Sequence, residues 1–248
     1  MIDIKSDREI ALIEGAGKVV KEVLESLKKM SLPGVTTAEL DKKAGELIAY
    51  YGARPAFKGY RGFPANICTS INEEIVHGIP DEKRILRSGD ILSIDVGVEK
   101  DGYYADSAIT IGIGKALSQK AIDLIEVARV ALEAGIKEAV EGNRLFDISY
   151  AVQRYTEGHG YSVVRDFVGH GIGKKMHEEP EIPNFGKPGV GPRLKKGMVL
   201  AIEPMINEGG FEIEILDDNW TAVTRDRTLS AHFEHTICIT DSKAKVLT

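Results

Sequence analysis

Ile10, Ile13, Gly17, Val20, Leu24 and Leu27 recur at alternating three- and four-residue steps, the period of a helix that buries one face. Ser6 and Glu9 stand ahead of that stripe at the spacing of a capping box, and Pro33-Gly34 ends the segment. Thr36 and Glu39 repeat the signal and open a second helix carrying Leu40, Ala44, Leu47, Ile48 and Tyr51. Beyond a Gly/Pro/aromatic loop from Arg54 to Pro64 the period shortens toward two, which predicts strands at 66–71, 90–98 and 103–111. Gly112 to Lys115 reads as a hinge. Ser118 starts a third helix, Gly142 breaks it, and a fourth is expected near 145–158, ahead of another glycine-rich stretch.

The second half echoes the first. Gly89-Asp90-Ile91-Leu92-Ser93-Ile94-Asp95 matches Gly197-Met198-Val199-Leu200-Ala201-Ile202-Glu203 at an offset of 108 (95 to 203), which also aligns Gly34 with Gly142 and Leu40 with Ile148. Asp106-Ser107-Ala108-Ile109-Thr110-Ile111 resembles Glu234-His235-Thr236-Ile237-Cys238-Ile239 at an offset of 128 (106 to 234). The extra residues predict an added hairpin around Glu208 to Thr221. The expected organisation is one α/β (α+β) domain over 1–248, built from duplicated halves of about 1–113 and 114–248 that share one site.

Period-two counting gives the echo chemical content. Leu92, Ile94 and Val96 share one face, and Ile91, Ser93 and Asp95 the other; Leu200 and Ile202 likewise oppose Val199, Ala201 and Glu203. Asp106 shares a face with Ala108 and Glu234 with Thr236, so each acid has a small neighbour beside it. A carboxylate inside an apolar strand is costly unless paired or ligated. One such acid reads as an edge strand facing water; four at matching places in two halves read as a cluster.

Histidine is scarce: His77, His159, His170, His177, His232 and His235. Gly169-His170-Gly171-Ile172-Gly173 predicts a loop in which little side-chain bulk obstructs a ligand at the imidazole. It is not a phosphate loop, since Val168 stands where glycine is needed and Lys175 where Ser or Thr is needed. No His-Glu-x-x-His, Gly-x-Ser-x-Gly or cysteine-protease signature occurs. Four carboxylates and a histidine suit divalent Mn, Fe, Co or Zn rather than a thiolate site, and four negative charges balance two divalent ions.

Composition narrows the setting. With 43% hydrophobic and 28% charged residues and a net charge of −6, the chain has ordinary globular character and no excess positive charge to attract nucleic acid or an anionic membrane. Cys68 and Cys238 form no metal-binding spacing and suit a reducing compartment. The charged N-terminus lacks the apolar core of a signal peptide, and no apolar run approaches a spanning length, so a cytoplasmic protein is expected.

The segments Asn66–Glu73, His77-Gly78-Ile79-Pro80, Ile94-Asp95-Val96-Gly97, Ala105-Asp106-Ser107, Gly169–Gly173, His177-Glu178-Glu179-Pro180, Ile202-Glu203-Pro204-Met205 and Ser230–Thr236 together resemble the type I methionine aminopeptidases, in order and over essentially the whole chain. That resemblance implies the pita-bread fold, a pseudo-twofold domain with a metal site on a curved antiparallel sheet covered by helices. It implies two divalent ions held by Asp95, Asp106, His170, Glu203 and Glu234, with Asp106 and Glu234 bridging, Asp95 completing one ion and His170 with Glu203 the other. A bridging water would attack the scissile bond, with Glu203 as proton shuttle. His177 is expected to hydrogen-bond the scissile carbonyl and His77 to contact the amide nitrogen. Tyr60, Phe63, Cys68, Phe167, Met176 and Trp220 are expected to line the methionine pocket.

Proline-specific pita-bread peptidases usually carry an extra N-terminal domain, and type II methionine aminopeptidases an insertion for which 204–233 is too short. A non-catalytic pita-bread binding protein would lack ligands that this chain retains. The expected partners are the N-termini of peptides and nascent chains, with no nucleic acid or membrane. A monomer is expected, and any transient ribosome contact would come from the domain surface, since no N-terminal zinc-binding extension is present.

Overall fold

The computed structural model describes residues 2–248. The first half runs α1 (Asp7–Met30), α2 (Thr37–Tyr50), β1 (Arg54–Pro55), β2 (Cys68–Ile71), β3 (Glu74–Val76), β4 (Ile91–Lys100) and β5 (Tyr103–Gly112). The second opens with α3 (Gln119–Glu138), α4 (Leu145–Gly158), β6 (Ser162–Val163), β7 (Gly169–Gly171), β8 (Glu178–Ile182), β9 (Val199–Ile202) and β10 (Met205–Asn207). It continues with β11 (Ile213–Ile215), β12 (Ala222–Thr224), β13 (Ser230–His232), β14 (His235–Cys238) and β15 (Lys245–Val246).

Local chemistry explains the helix starts. Ser6 and Thr36 each accept from the backbone N–H three residues on, at 3.4 and 3.2 Å, and each receives the returning Glu9 or Glu39 carboxylate on its own N–H, at 2.9 and 2.7 Å. α1 stops at Met30, before Pro33, because the Ser31 N–H and hydroxyl both turn back onto the Leu27 carbonyl. Tyr51 falls just past α2 and is exposed rather than part of its buried stripe.

The two halves share a plan. α2 and α4 are each 14 residues long, and they begin 108 residues apart (37 and 145), as do β4 and β9 (91 and 199). β4 lies between β2 and β5, and β9 between β7 and β14, all antiparallel. The ladders correct one alignment. Ile94 pairs with Ile109, and its counterpart Ile202 pairs with His235, so β5 and β14 correspond at an offset of 126 (109 to 235), not 128. Glu234 therefore stands at the register of Ala108. Positions two apart in a strand share a face, so carboxylates at the two registers project from the same side of the sheet.

The added hairpin also sits further along than expected, as β11 and β12. β12 pairs with β3, joining the insertion to the first half. Ile13, Val20, Leu24, Leu27 and Leu40 pack against Leu92, Ile94 and Val96, while Leu124, Leu132, Ile148 and Val152 pack against Leu200, Ile202 and Ile237. Burying each of these side chains is worth about 1.5–3 kcal/mol. The helices thus cover one side of the strands, leaving the Ser93–Asp95 face of β4 for other work. No helix among the described residues is long and apolar enough to cross a membrane.

Candidate metal centre

Asp95 on β4 lies opposite Ala108 on β5 and Cys68 on β2, and Asp106 on β5 lies opposite Gly97. The two acids are diagonal neighbours on the face that the helices leave uncovered. Glu203 follows the last residue of β9, and Glu234 immediately precedes β14. Both acids leave their strands at the end nearest the centre.

His170 is the middle residue of β7, opposite Ala201, so the expected glycine loop is a strand. Its glycines admit neighbouring backbone rather than a ligand. A Cβ at Gly169 would overlap the Ala201 carbonyl oxygen, and one at Gly171 the Glu179 carbonyl oxygen.

The five groups converge. One atom each from Asp106, His170 and Glu234 lie within 4.8 Å of one another. His170 Nε2 is 3.5 Å from Asp106 Oδ2 and 3.4 Å from Glu203 Oε1. Its Nδ1–H donates to the Gly171 carbonyl at 2.9 Å, which leaves the Nε2 lone pair facing the carboxylates, the orientation of a metal-binding imidazole. Asp95 Oδ1 is buried with no hydrogen-bond partner.

Electrostatics points the same way. Burial raises the Asp95 carboxyl well above its ordinary range, and the neighbouring Asp106 charge adds to this. Burial, then the other acids, does the same to Glu203 and Glu234. Asp106 is raised less, to about 6, because burial is opposed by the Thr236 hydroxyl. Burial lowers His170 to about 4, so it is neutral at pH 7. Four buried acids, a neutral imidazole and an unpartnered carboxylate oxygen fit divalent cations: the donors are hard to intermediate, and positive charge would relieve the repulsion.

The acids line a cleft of about 880 Å³, and the expected pocket residues line it too. Phe63 and Trp220 meet edge to face at 5.1 Å and cluster with Cys68 and Phe57. The β12–β3 pairing brings this wall near His77, whose ring lies 5.3 Å from Phe167 and 6.2 Å from Trp220. His77 adopts a left-handed backbone (φ 60°), uncommon for a residue with a Cβ. Its turn is fixed where the Gly78 N–H meets Ser70 Oγ at 3.2 Å and the Gly78 carbonyl accepts from Thr69 at 2.9 Å.

Met176 is buried in the cleft lining and His177 is exposed, its Nδ1 2.9 Å from the Tyr60 hydroxyl and its ring centroid 4.3 Å from that of His170. Desolvation lowers both His77 and His177 to about 4; His177 further lowers the former, and His170 the latter.

Sequence reasoning missed four contributors. His232 is buried on the cleft wall with Nε2 unpartnered, 4.0 Å from Glu203 Oε2. Thr236 bonds to Asp106, and the Asn184 side-chain amide donates to the Glu203 carbonyl at 3.1 Å. Lys5 reaches Glu178, next to His177, at 2.6 Å. The scarcity of histidine could have flagged His232. Nothing local marks the other three, which act across long sequence separations.

The profile of metallopeptidase family M24 matches residues 11–241. A protein of Clostridium acetobutylicum named methionine aminopeptidase is 53% identical over 248 residues, covering all of this chain and 99% of that one. Methionine aminopeptidase 1 of Bacillus subtilis is 50% identical with the same coverage. The crystal structure of a methionine aminopeptidase from Thermotoga maritima superposes with a TM-score of 0.98 at 44% identity, covering 100% of this chain and 99% of that one.

Proposed function

The chain belongs to metallopeptidase family M24 and has its pita-bread fold, and on that premise we propose that it is a type I methionine aminopeptidase, releasing methionine from the N-termini of peptides and nascent chains whose second residue is small. The observation that carries this reading is the convergence of Asp95, Asp106, Glu203 and Glu234 with neutral His170 on the floor of an aromatic-walled cleft.

Asp95, Asp106, His170, Glu203 and Glu234 would hold two divalent ions, with the Asp106 and Glu234 carboxylates shared between them. When bound, the ions supply Lewis acidity toward a water and the scissile carbonyl. Glu203, next to His170 and His232, takes a proton as the water attacks and delivers it to the leaving nitrogen. A Tyr60 hydroxyl donating to His177 Nδ1 places the ring proton on Nε2, where it can meet the carbonyl oxygen as negative charge develops. His77, neutral and oriented by Phe167 and Trp220, is placed for the scissile nitrogen.

Methionine suits the wall chemistry. A polarizable thioether gains from contact with aromatic edges, and Phe63, Trp220, Tyr60 and the Cys68 thiol provide such a lining. The proposed setting is the cytoplasm, with the protein acting as a monomer and touching the ribosome only transiently, through its surface.

Metal-stripped protein re-supplied in turn with Mn, Fe, Co or Zn is assayed on Met-Ala-Ser, Met-Lys-Ser and Leu-Ala-Ser. Metal-dependent turnover of the first, with little of the other two, is expected. Equal turnover of all three would contradict methionine specificity, and activity without metal would contradict the metal-site reading.

A further inference from the structure

We propose that Lys5 is a positioning residue for His177, acting through Glu178; this rests on the reading of His177 as the group that meets the scissile carbonyl. Lys5 is buried, its side chain 2% exposed. A lysine is rarely so enclosed unless paired. Its partners are Asp3 and Glu178, each at 2.6 Å from Nζ. The Asp3 side chain is 57% exposed, whereas that of Glu178 is 15% exposed. The enclosed half of the pair is therefore the one beside His177.

The geometry carries the connection further. The Lys5 N–H donates to the Gly197 carbonyl at 2.8 Å, pinning the N-terminal arm near the start of β9. The Lys5 side chain then runs against the bend at 173–177, where it lies so close to Gly173 that a Cβ there would overlap Lys5 Cε. Glu178 uses its two oxygens separately, Oε2 for Lys5 and Oε1 for the Lys175 N–H at 3.0 Å. The bend is closed by the Gly173 N–H on the Lys175 carbonyl at 3.1 Å, and tied to β5 by the Tyr104 N–H on the Gly173 carbonyl at 2.8 Å.

His177 is thus placed from two sides, at its ring by Tyr60 and through the bend that precedes it, where the Lys175 N–H is held by a carboxylate whose cation is Lys5. Without the ammonium, a largely enclosed carboxylate has no countercharge, and turning toward water would release Lys175. The bend would relax and carry His177 with it. The chemistry is sensitive to such shifts, since a misplacement of about 1 Å can cost roughly 10²-fold in rate.

The test is a mutant cycle with saturating Mn on Met-Ala-Ser, using wild type, Lys5→Met, Lys5→Arg, His177→Ala and the Lys5→Met/His177→Ala double variant. Wild-type turnover is read first, so failure of the peptidase reading shows in that arm alone. The expected result is a kcat loss of about 10- to 100-fold for Lys5→Met with KM changed less than about 3-fold, and recovery of most activity in Lys5→Arg. In the His177→Ala background, Lys5→Met should cost less than about 2-fold, because the group it positions is already gone. A purely structural lysine predicts the same loss in both backgrounds, and that result overturns the proposal. A wild-type kcat for Lys5→Met overturns it equally. Glu178→Gln, which drops the charge but keeps an acceptor for Lys175, goes through the same cycle, so the result does not depend on Lys5→Met folding. Its loss must likewise vanish without His177.

Discussion

Thr236 grips Asp106 at both its backbone and its carboxylate. The Thr236 hydroxyl oxygen accepts from the Asp106 N–H at 3.1 Å and lies 2.9 Å from its carbonyl oxygen and 3.0 Å from Oδ1. The contact spans 130 residues and joins β5 to β14, so one hydroxyl couples the two halves at an acid of the centre. It also favours the ionised form of Asp106, against the burial that raises it. Thr236→Val should therefore weaken divalent-ion affinity by about 10-fold or more, in the range for lost outer partners of ligands. Calorimetric titration checks this; unchanged affinity would show that the hydroxyl only joins the strands.

Asp106→Ala or Glu234→Ala should damage both ion positions, whereas Asp95→Ala should weaken one. Elemental analysis after dialysis reads the stoichiometry directly. An Asp106→Ala protein that still binds two ions tightly would rule out the shared carboxylate.

Ion binding should release protons, and more of them as pH falls from 7.5 toward 6. The sign follows from the acids. Asp95, Glu203 and Glu234 are raised well above their ordinary range, mainly by burial, and Asp106 to about 6, so ion-free protein holds protons that a cation must displace. Near pH 6 Asp106 adds its share, while His170, at about 4, is already neutral and releases almost none. Calorimetry in two buffers of different ionisation enthalpy counts the protons. A release that shrinks toward pH 6 would contradict the raised carboxyls.

His177→Ala should lower kcat by about 10²–10³-fold, the range for one donor to developing oxyanion charge, with a smaller effect on KM. Normal ion content and melting temperature should accompany that loss. His77→Ala should behave similarly, with some loss of substrate affinity because its ring also stands beside Phe167 and Trp220. Loss of an ion in either variant would make that histidine a ligand instead.

Gly171→Ala should destabilise the protein by about 1–3 kcal/mol or more, since the new Cβ meets the Glu179 carbonyl, fixed backbone that cannot move aside as a side-chain end could. A thermal melt is the measurement. A neutral effect would mean that β7 and β8 can part without cost.

Much of this protein is decided by neighbours in the sequence. A capping box needs residues three apart, and a buried stripe needs the helical period, so Ser6, Glu9, Thr36 and Glu39 place α1 and α2 without tertiary information. The echo at 108 residues places α4 and β9 in the same way, and strand alternation puts Asp95 on the face of β4 away from Leu92, Ile94 and Val96; the β4–β5 ladder then brings Asp106 onto that face. Tertiary structure alone settles where strands from distant parts of the chain align. The register of β14 on β9, the pairing of β12 with β3, and the contacts of Thr236 with Asp106 and Lys5 with Glu178 depend on partners dozens to more than a hundred residues away. Local periodicity carries no information about that distance. The glycines around His170 make the point most clearly: sequence read them as room for a ligand, and packing uses them to bring three strands of backbone close enough to hold the imidazole in place.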